Sequence, residues 1–450
     1  MAMTVPMARK MSYVVLLVVA SLGVLHAQVA PSQFVPFKNF VQKTRGASSD
    51  IYMARAESRV QDAAAFEEMR QYILTMYQGV HVRHSFVRDN NHVDCVPIRE
   101  QPSVRLLGLQ EIATPPAEHQ SASDSADDSL AGDRPVALTS QIDPEQSFDE
   151  FGNALVCEDQ SIPMARITLE QLTRFPSLRE FFEKSPQENE ASAALLPGHS
   201  IPPASPGTHV YSFTYSPNEK NTGITDGNNL WSPVVSAKEI FSLSQLWEIG
   251  ANGSKTQTAE AGWQVFPALY SIKKAALFIY WTADGYNKTG CYNLTCPAFV
   301  QTNSSVTLGA GFNHYSKLGG TQYEIDLEYR LSGGKWWFYY GGTAIGYYPA
   351  SLYKPGTMTT YSTYSEYGTE SVSNSKTDPP EGSGKWSNAG FKEAAYHRNL
   401  NYFSTSGKEF AVSLTADDEA PNCYSVTGPF NNISGWGTYF YDGGPGGSNC

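Results

Sequence analysis

Between Tyr323 and Arg330 every second residue is apolar: Tyr323, Ile325, Leu327 and Tyr329 alternate with Glu324, Asp326, Glu328 and Arg330. A repeat of two requires an extended chain, because successive side chains of a strand leave on opposite faces. The run ends in Ser332-Gly333-Gly334-Lys335 and resumes as Lys335-Trp-Trp-Phe-Tyr-Tyr340, which reads as a hairpin turn between two strands. Similar short strands are expected at Val210–Tyr215, Glu239–Ile249, Glu260–Phe266, Ala275–Thr282 and Phe299–Gly309, with no comparably long helical periodicity between them. The second half of the chain is therefore expected to be all-β, an antiparallel sandwich or barrel.

The first half is built differently. All eight Trp lie between Trp231 and Trp436, and 22 of the 26 Tyr follow residue 208. In Ala54 to Tyr77, apolar residues recur every three or four positions among charged ones, predicting one amphipathic helix. His119 to Gln146 is rich in Ser and Asp, and Lys184 to Thr208 holds five prolines; neither contains Phe, Trp or Tyr. Both read as looped or linking segments, and the chain divides near residue 205.

Arg9 and Lys10 precede the apolar stretch Val14 to Leu25. That is the length of a secretory signal core and too short for a bilayer span, which predicts cleavage near Ala27 and a mature protein outside the membrane. In an oxidising compartment six cysteines imply disulfides, and their spacing groups Cys95 with Cys157, Cys291 with Cys296, and Cys423 with Cys450. Reading Cys291 and Cys296 as half a zinc site lacks a second half, so no metal is expected. Asn252, Asn287, Asn293, Asn303 and Asn432 head glycosylation sequons. The balance of 32 Lys+Arg against 44 Asp+Glu, a net charge of −12, argues against nucleic acid as a partner.

No nucleophile elbow, zinc-peptidase helix, aspartic-peptidase triplet or phosphate loop occurs, and with the cysteines paired the residues left for acid–base work are carboxylates. In Glu260-Ala-Gly-Trp-Gln-Val265, alternation puts Glu260, Gly262 and Gln264 on one strand face. A carboxylate and a carboxamide with a glycine between them leave room for a ligand; the same pattern also describes an ordinary wet sheet face. Glu366 and Glu370 in Ser365-Glu-Tyr-Gly-Thr-Glu-Ser371 share a face in the same way.

These segments, taken in order, resemble the neprosin family of plant secreted proteins. Asp94-Cys95-Val96 with Gln101-Pro102, and Cys157 with Ile162-Pro163, are similar to its activation region. Phe241 to Trp247, Glu260 to Val265, Tyr280-Trp-Thr282, Thr289 to Leu294, Phe299 to Asn303, Gly346 to Pro349, Gly382-Ser-Gly384, and Tyr439 to Tyr441 with Gly443 to Gly446 are similar to its catalytic region. The resemblance implies a signal peptide over 1–27, a mixed α/β propeptide over 28–205 and a catalytic antiparallel β-sandwich of two large sheets over 206–450. It further implies a secreted proline-specific glutamic endopeptidase, extracellular, in the cell wall or vacuolar, made as a zymogen and needing no cofactor. Its partners would be a peptide or protein substrate and its own propeptide.

Carried over by residue, the two catalytic glutamates are Glu260 and Glu370, the latter ending Tyr367-Gly368-Thr369-Glu370 where the family has Trp-Gly-Gly-Glu. Glu248 stands where relatives tend to be apolar, and Lys385 replaces a His. Gln264 is expected to hold the oxyanion. Trp263 or Tyr367 is expected to wall a substrate pocket, although alternation turns Trp263 away from Glu260. Two other classes stay open, a glycosidase, which also uses paired carboxylates, and a catalytically silent binding module on the same sandwich.

Overall fold

The computed structural model describes residues 33–116, 134–184, 207–216, 220–448 and 450. The signal segment, most of the Ser/Asp-rich stretch and residues 185–206 of the Pro-rich stretch lie outside these residues.

Among the described residues two large sheets form. A seven-stranded sheet runs in the order Cys291–Tyr292, Ala276–Thr282, Lys255–Val265, Glu239–Asn252, Tyr364–Ser373, His209–Ser216 and Thr415–Asp418, every neighbouring pair antiparallel. A ten-stranded sheet has Tyr323–Ser332, Lys335–Tyr340, Asn221–Asn229 and Ala395–Ser404 at its centre. Its Ser332–Lys335 turn works because Gly333 and Gly334 take φ of 56° and 68°, a left-handed pair that costs glycine nothing.

The sheets stack face to face. Trp263 Nε1 donates to the carbonyl of Asn229 (2.9 Å) and the Tyr329 hydroxyl to that of Glu260 (3.0 Å). His397, fully buried, bonds Asp226 and, through its other nitrogen, Ser244 of the opposite sheet. Burial works against its charge, but Asp226 and Asp442 outweigh it and push the ring up to about 10.

The aromatic asymmetry follows from this layering. Tyr329, Trp336, Phe338, Tyr340 and Tyr348 fill the space between the sheets, while Trp337, Tyr339 and Tyr347 lie on the outer face under Val104 and Leu109 of the N-terminal segment. That segment carries the helix Ala63–Met76 and a three-stranded sheet of Ser85–Arg88, Asn91–Pro97 and Ser161–Ala165. It packs with the sandwich in one unit, Phe34–Cys450. Gln101 pairs with the backbone of Gln301 through both ends of its amide (2.9 Å each). The disulfides are Cys95–Cys157, Cys291–Cys296 and Cys423–Cys450. No described helix is long and apolar enough to cross a membrane.

Four expectations change. The helix starts at Ala63 rather than Ala54, because the Asp62 carboxylate accepts from the amide of Ala65 and caps it. Val136–Ala137, inside the stretch read as a loop, adds a parallel edge to Tyr323–Ser332. Beyond Val300–Gln301 the expected strand turns aside, since Asn303 Oδ1 accepts from the amides of Ser305 and Val306. Asn293 is buried, its Oδ1 taken by the amide of Ile279, so this sequon is not on the folded surface, whereas Asn287 and Asn432 are exposed.

Candidate active site

Cross-strand partners share a face, so the registers define rows of side chains on the outer face of the seven-stranded sheet. One row is Tyr280, Glu260, Trp247, Glu366 and Tyr215. The next is Phe278, Gly262, Gln245, Gly368 and Phe213; the third contains Gln264, Leu243, Glu370 and Tyr211. Glu260 and Glu370 thus stand diagonally across a row whose centre carries a single side chain between two glycines. A Cβ on Gly262 would come 2.0 Å from the Ser244 carbonyl oxygen and one on Gly368 2.4 Å from that of Ser212. Neither position admits another residue without backbone movement, and the row stays low enough for an extended chain to cross it.

Both glutamates are fully buried. Glu260 Oε1 accepts from Thr258 Oγ1 (2.7 Å) and the Tyr286 hydroxyl (2.8 Å). Glu370 Oε1 meets His209 Nδ1, and its Oε2 lies 3.4 Å from Gln245 Nε2. Between them sits Lys184, whose Nζ is 2.6 Å from Glu260 Oε2 and 2.7 Å from Glu370 Oε2. Its ammonium also lies 5.4 Å from the centre of the Trp247 ring. Burial opposes the lysine's charge, and the two carboxylates more than restore it, leaving its pKa above the ordinary value. Burial likewise raises Glu370, but Lys184 and His209 prevail and hold it below the usual carboxylate range.

Lys184 is the residue that sequence reasoning placed in a flexible linker. It follows the short helix Leu178–Phe182, and the Tyr280 hydroxyl donates to the carbonyl of Phe182 (3.2 Å), fixing the chain over the sheet. Gln245 was also missed. Its Oε1 is buried without a hydrogen-bond partner, and its amide is the one beside Glu370. Gln264, expected to hold an oxyanion, has both ends engaged: Tyr270 donates to its Oε1 (2.8 Å) and its Nε2 donates to the Tyr292 hydroxyl (3.3 Å). Trp263 and Tyr367 face the interior between the sheets, because both alternate with the cleft-facing residues of their strands. The aromatic walls of the site are Trp247, Tyr211, Phe213, Tyr280 and Tyr286 instead.

Glu248 also faces the interior, fully buried, and burial pushes its carboxyl up to about 8. It is held as a neutral acid behind the cleft. Among the described residues no cluster of His, Cys, Asp and Glu is arranged to hold a metal.

Residues 238–445 match the family model Neprosin. Two solved structures align with the chain at low similarity. One is scytalido-glutamic peptidase with a transition state analog inhibitor, at 8% identity over 52% of this chain and 97% of that one, TM-score 0.30. The other is the same peptidase with a peptide based transition state analog, at 9% identity over 54% and 99%, TM-score 0.28.

Proposed function

We propose, from the premise that this chain belongs to the neprosin family through residues 238–445, that it is a glutamic-type endopeptidase whose reacting groups are Glu260 and Glu370. The observation that carries the proposal is the pair itself. Two fully buried carboxylates on one sheet face are bridged by a single ammonium, across a row kept bare by glycines.

With Lys184 gone, two neighbouring buried carboxyls cannot both hold full charge, so the pair shares a proton and titrates as a unit. His209 remains against Glu370 and favours its anion. Glu370 then takes a proton from water as the oxygen attacks the peptide carbonyl. Gln245 Nε2 donates to the oxyanion that forms. Glu260, protonated, gives its proton to the departing amine as the carbon–nitrogen bond breaks, and Glu370 returns the water's proton to the pair. Such a cycle runs best in acid, where one carboxyl stays protonated.

The same reading makes residues 28–205 a propeptide, with Lys184 as the side chain that silences the site, and residues 206–450 the peptidase. Secretion behind a signal peptide over 1–27, glycosylation and cleavage after proline belong to the proposal as well. The exposed Asn287 and the disulfides support the secretory part. Incubating the full chain in acid, sequencing its new N-terminus and digesting a denatured proteome tests the whole. The expected result is shortening between Lys184 and Gly207, followed by peptide cuts with proline before the broken bond. A chain that shortens yet cuts no peptide would overturn the peptidase reading.

A further inference from the structure

Two more carboxyls stand beside the pair and are used by neither the proposed reaction nor any ion pair among the described residues. Glu366 lies in the row of Glu260, separated from it only by Trp247. It is 2% exposed, and its Oε1 has no hydrogen-bond partner. Glu419 follows the edge strand Thr415–Asp418, and its amide donates to the carbonyl of Tyr211, the residue paired with Glu370 (3.3 Å). One of its carboxyl oxygens, Oε2, is likewise buried and unpartnered.

Burial raises Glu366 well above the usual range, and Glu419 and Glu260 add to it; burial and Asp417 push Glu419 up to about 8. Tyr364 bonds Glu366 and the Tyr211 backbone bonds Glu419, leaving one bare oxygen on each; both carboxyls favour the neutral form until an incoming cation ionises them, as Lys184 does at Glu370. The molecule displays such a cation on this face, since Lys184 seats its ammonium on the neighbouring carboxylates against Trp247. Stacked Tyr215 and Tyr364, 5.6 Å between ring centres, border Glu366 and offer ring faces to the stem of a long basic side chain. Once Lys184 leaves, Glu260, Glu370, Glu366 and Glu419 share a cleft whose one described basic neighbour is His209.

We propose that Glu366 and Glu419 form a specificity subsite that takes a lysine or arginine side chain of the substrate next to the scissile bond. This rests on the peptidase reading and deepens it. The test uses acid-activated full chain and a set of quenched-fluorescence peptides that keep proline before the cleaved bond and in which the residue after it, or the one preceding the proline, is in turn Lys, Arg, norleucine or Glu. At one position the basic peptide should exceed norleucine roughly tenfold in kcat/KM, the effect of a single well-placed charge pair. In Glu366→Gln and in Glu419→Gln that ratio should fall toward unity, with the norleucine peptide cut as by wild type. Should Glu366→Gln fail to fold, Glu419→Gln, at the sheet edge, carries the test. Cleavage indifferent to the basic residue, or a preference unchanged in the folded variants, overturns the subsite alone. No cleavage of any peptide overturns the peptidase reading and the subsite with it.

Discussion

The ammonium of Lys184 stands 2.6 Å from a carboxylate oxygen of Glu260, a residue 76 positions further along the chain. Both groups are buried, so removing one partner strands the other's charge and costs far more than breaking a surface ion pair. Replacing Lys184 by Met leaves two carboxylates facing each other without their cation. The full chain should lose about 3 kcal/mol of stability near neutral pH and less in acid, where the pair protonates. Denaturant unfolding at both pH values measures this, and peptide cleavage by the uncut variant near neutral pH should rise above that of the uncut wild type.

On the proposed zymogen reading, the direction of the Glu370 shift sets the pH at which the site opens. Its carboxyl is held below the ordinary range in the folded chain. The contact with Lys184 is therefore fully present above the unfolded carboxyl pKa and is lost as pH falls through the lower folded one. Release should begin only at a pH below the ordinary Glu range. Limited proteolysis at steps from neutral pH downward reads the onset, and opening well above that pH would show that another group controls it.

Gln245 and Gln264 are expected to separate cleanly. Gln245→Leu removes the amide beside Glu370 and should lower kcat/KM by about a hundredfold, the usual effect of losing an oxyanion donor, with little change in Tm. Gln264→Leu strands the hydroxyls of Tyr270 and Tyr292 and should cost about 1–3 kcal/mol of stability while sparing the rate. Paired measurements of kcat/KM and Tm on both variants decide the assignment.

Glu248 supplies a stability test remote from the chemistry. Its carboxyl, near 8 in the folded chain, lies above its unfolded value, so the folded state binds the extra proton. That group makes stability fall as pH rises between the two values, by at most about 1.4 kcal/mol per pH unit. Glu248→Gln should flatten this slope and be more stable than wild type near pH 8. Urea unfolding across that range shows it.

How much of this was legible in the sequence depends on which interaction placed each residue. Period-two alternation reflects local geometry, so the Tyr323–Ser332 strand, its glycine turn and the shared face of Glu260 and Gln264 were readable from spacing. Choosing Glu370 over Glu366 came from the family resemblance, since both share one face of one strand. Gln245 was invisible because its place between Gly262 and Gly368 is set by the pairing of three strands. Lys184 has no periodicity to betray it; its environment is made wholly by contacts distant in the chain. Trp263 and Tyr367 were assigned to the pocket by nearness in sequence, and alternation sends both to the other side of the sheet.

The central claim is that Glu260 and Glu370 together hydrolyse peptides once Lys184 has left. The most direct measurement is kcat/KM on a quenched peptide in acid for wild type, Glu260→Gln and Glu370→Gln, each freed of its N-terminal segment by the same added protease. Each variant should keep its fold and lose at least about a thousandfold in rate, with the double variant no worse than either single, as for residues that act as one unit. Either single variant retaining wild-type cleavage would contradict the account.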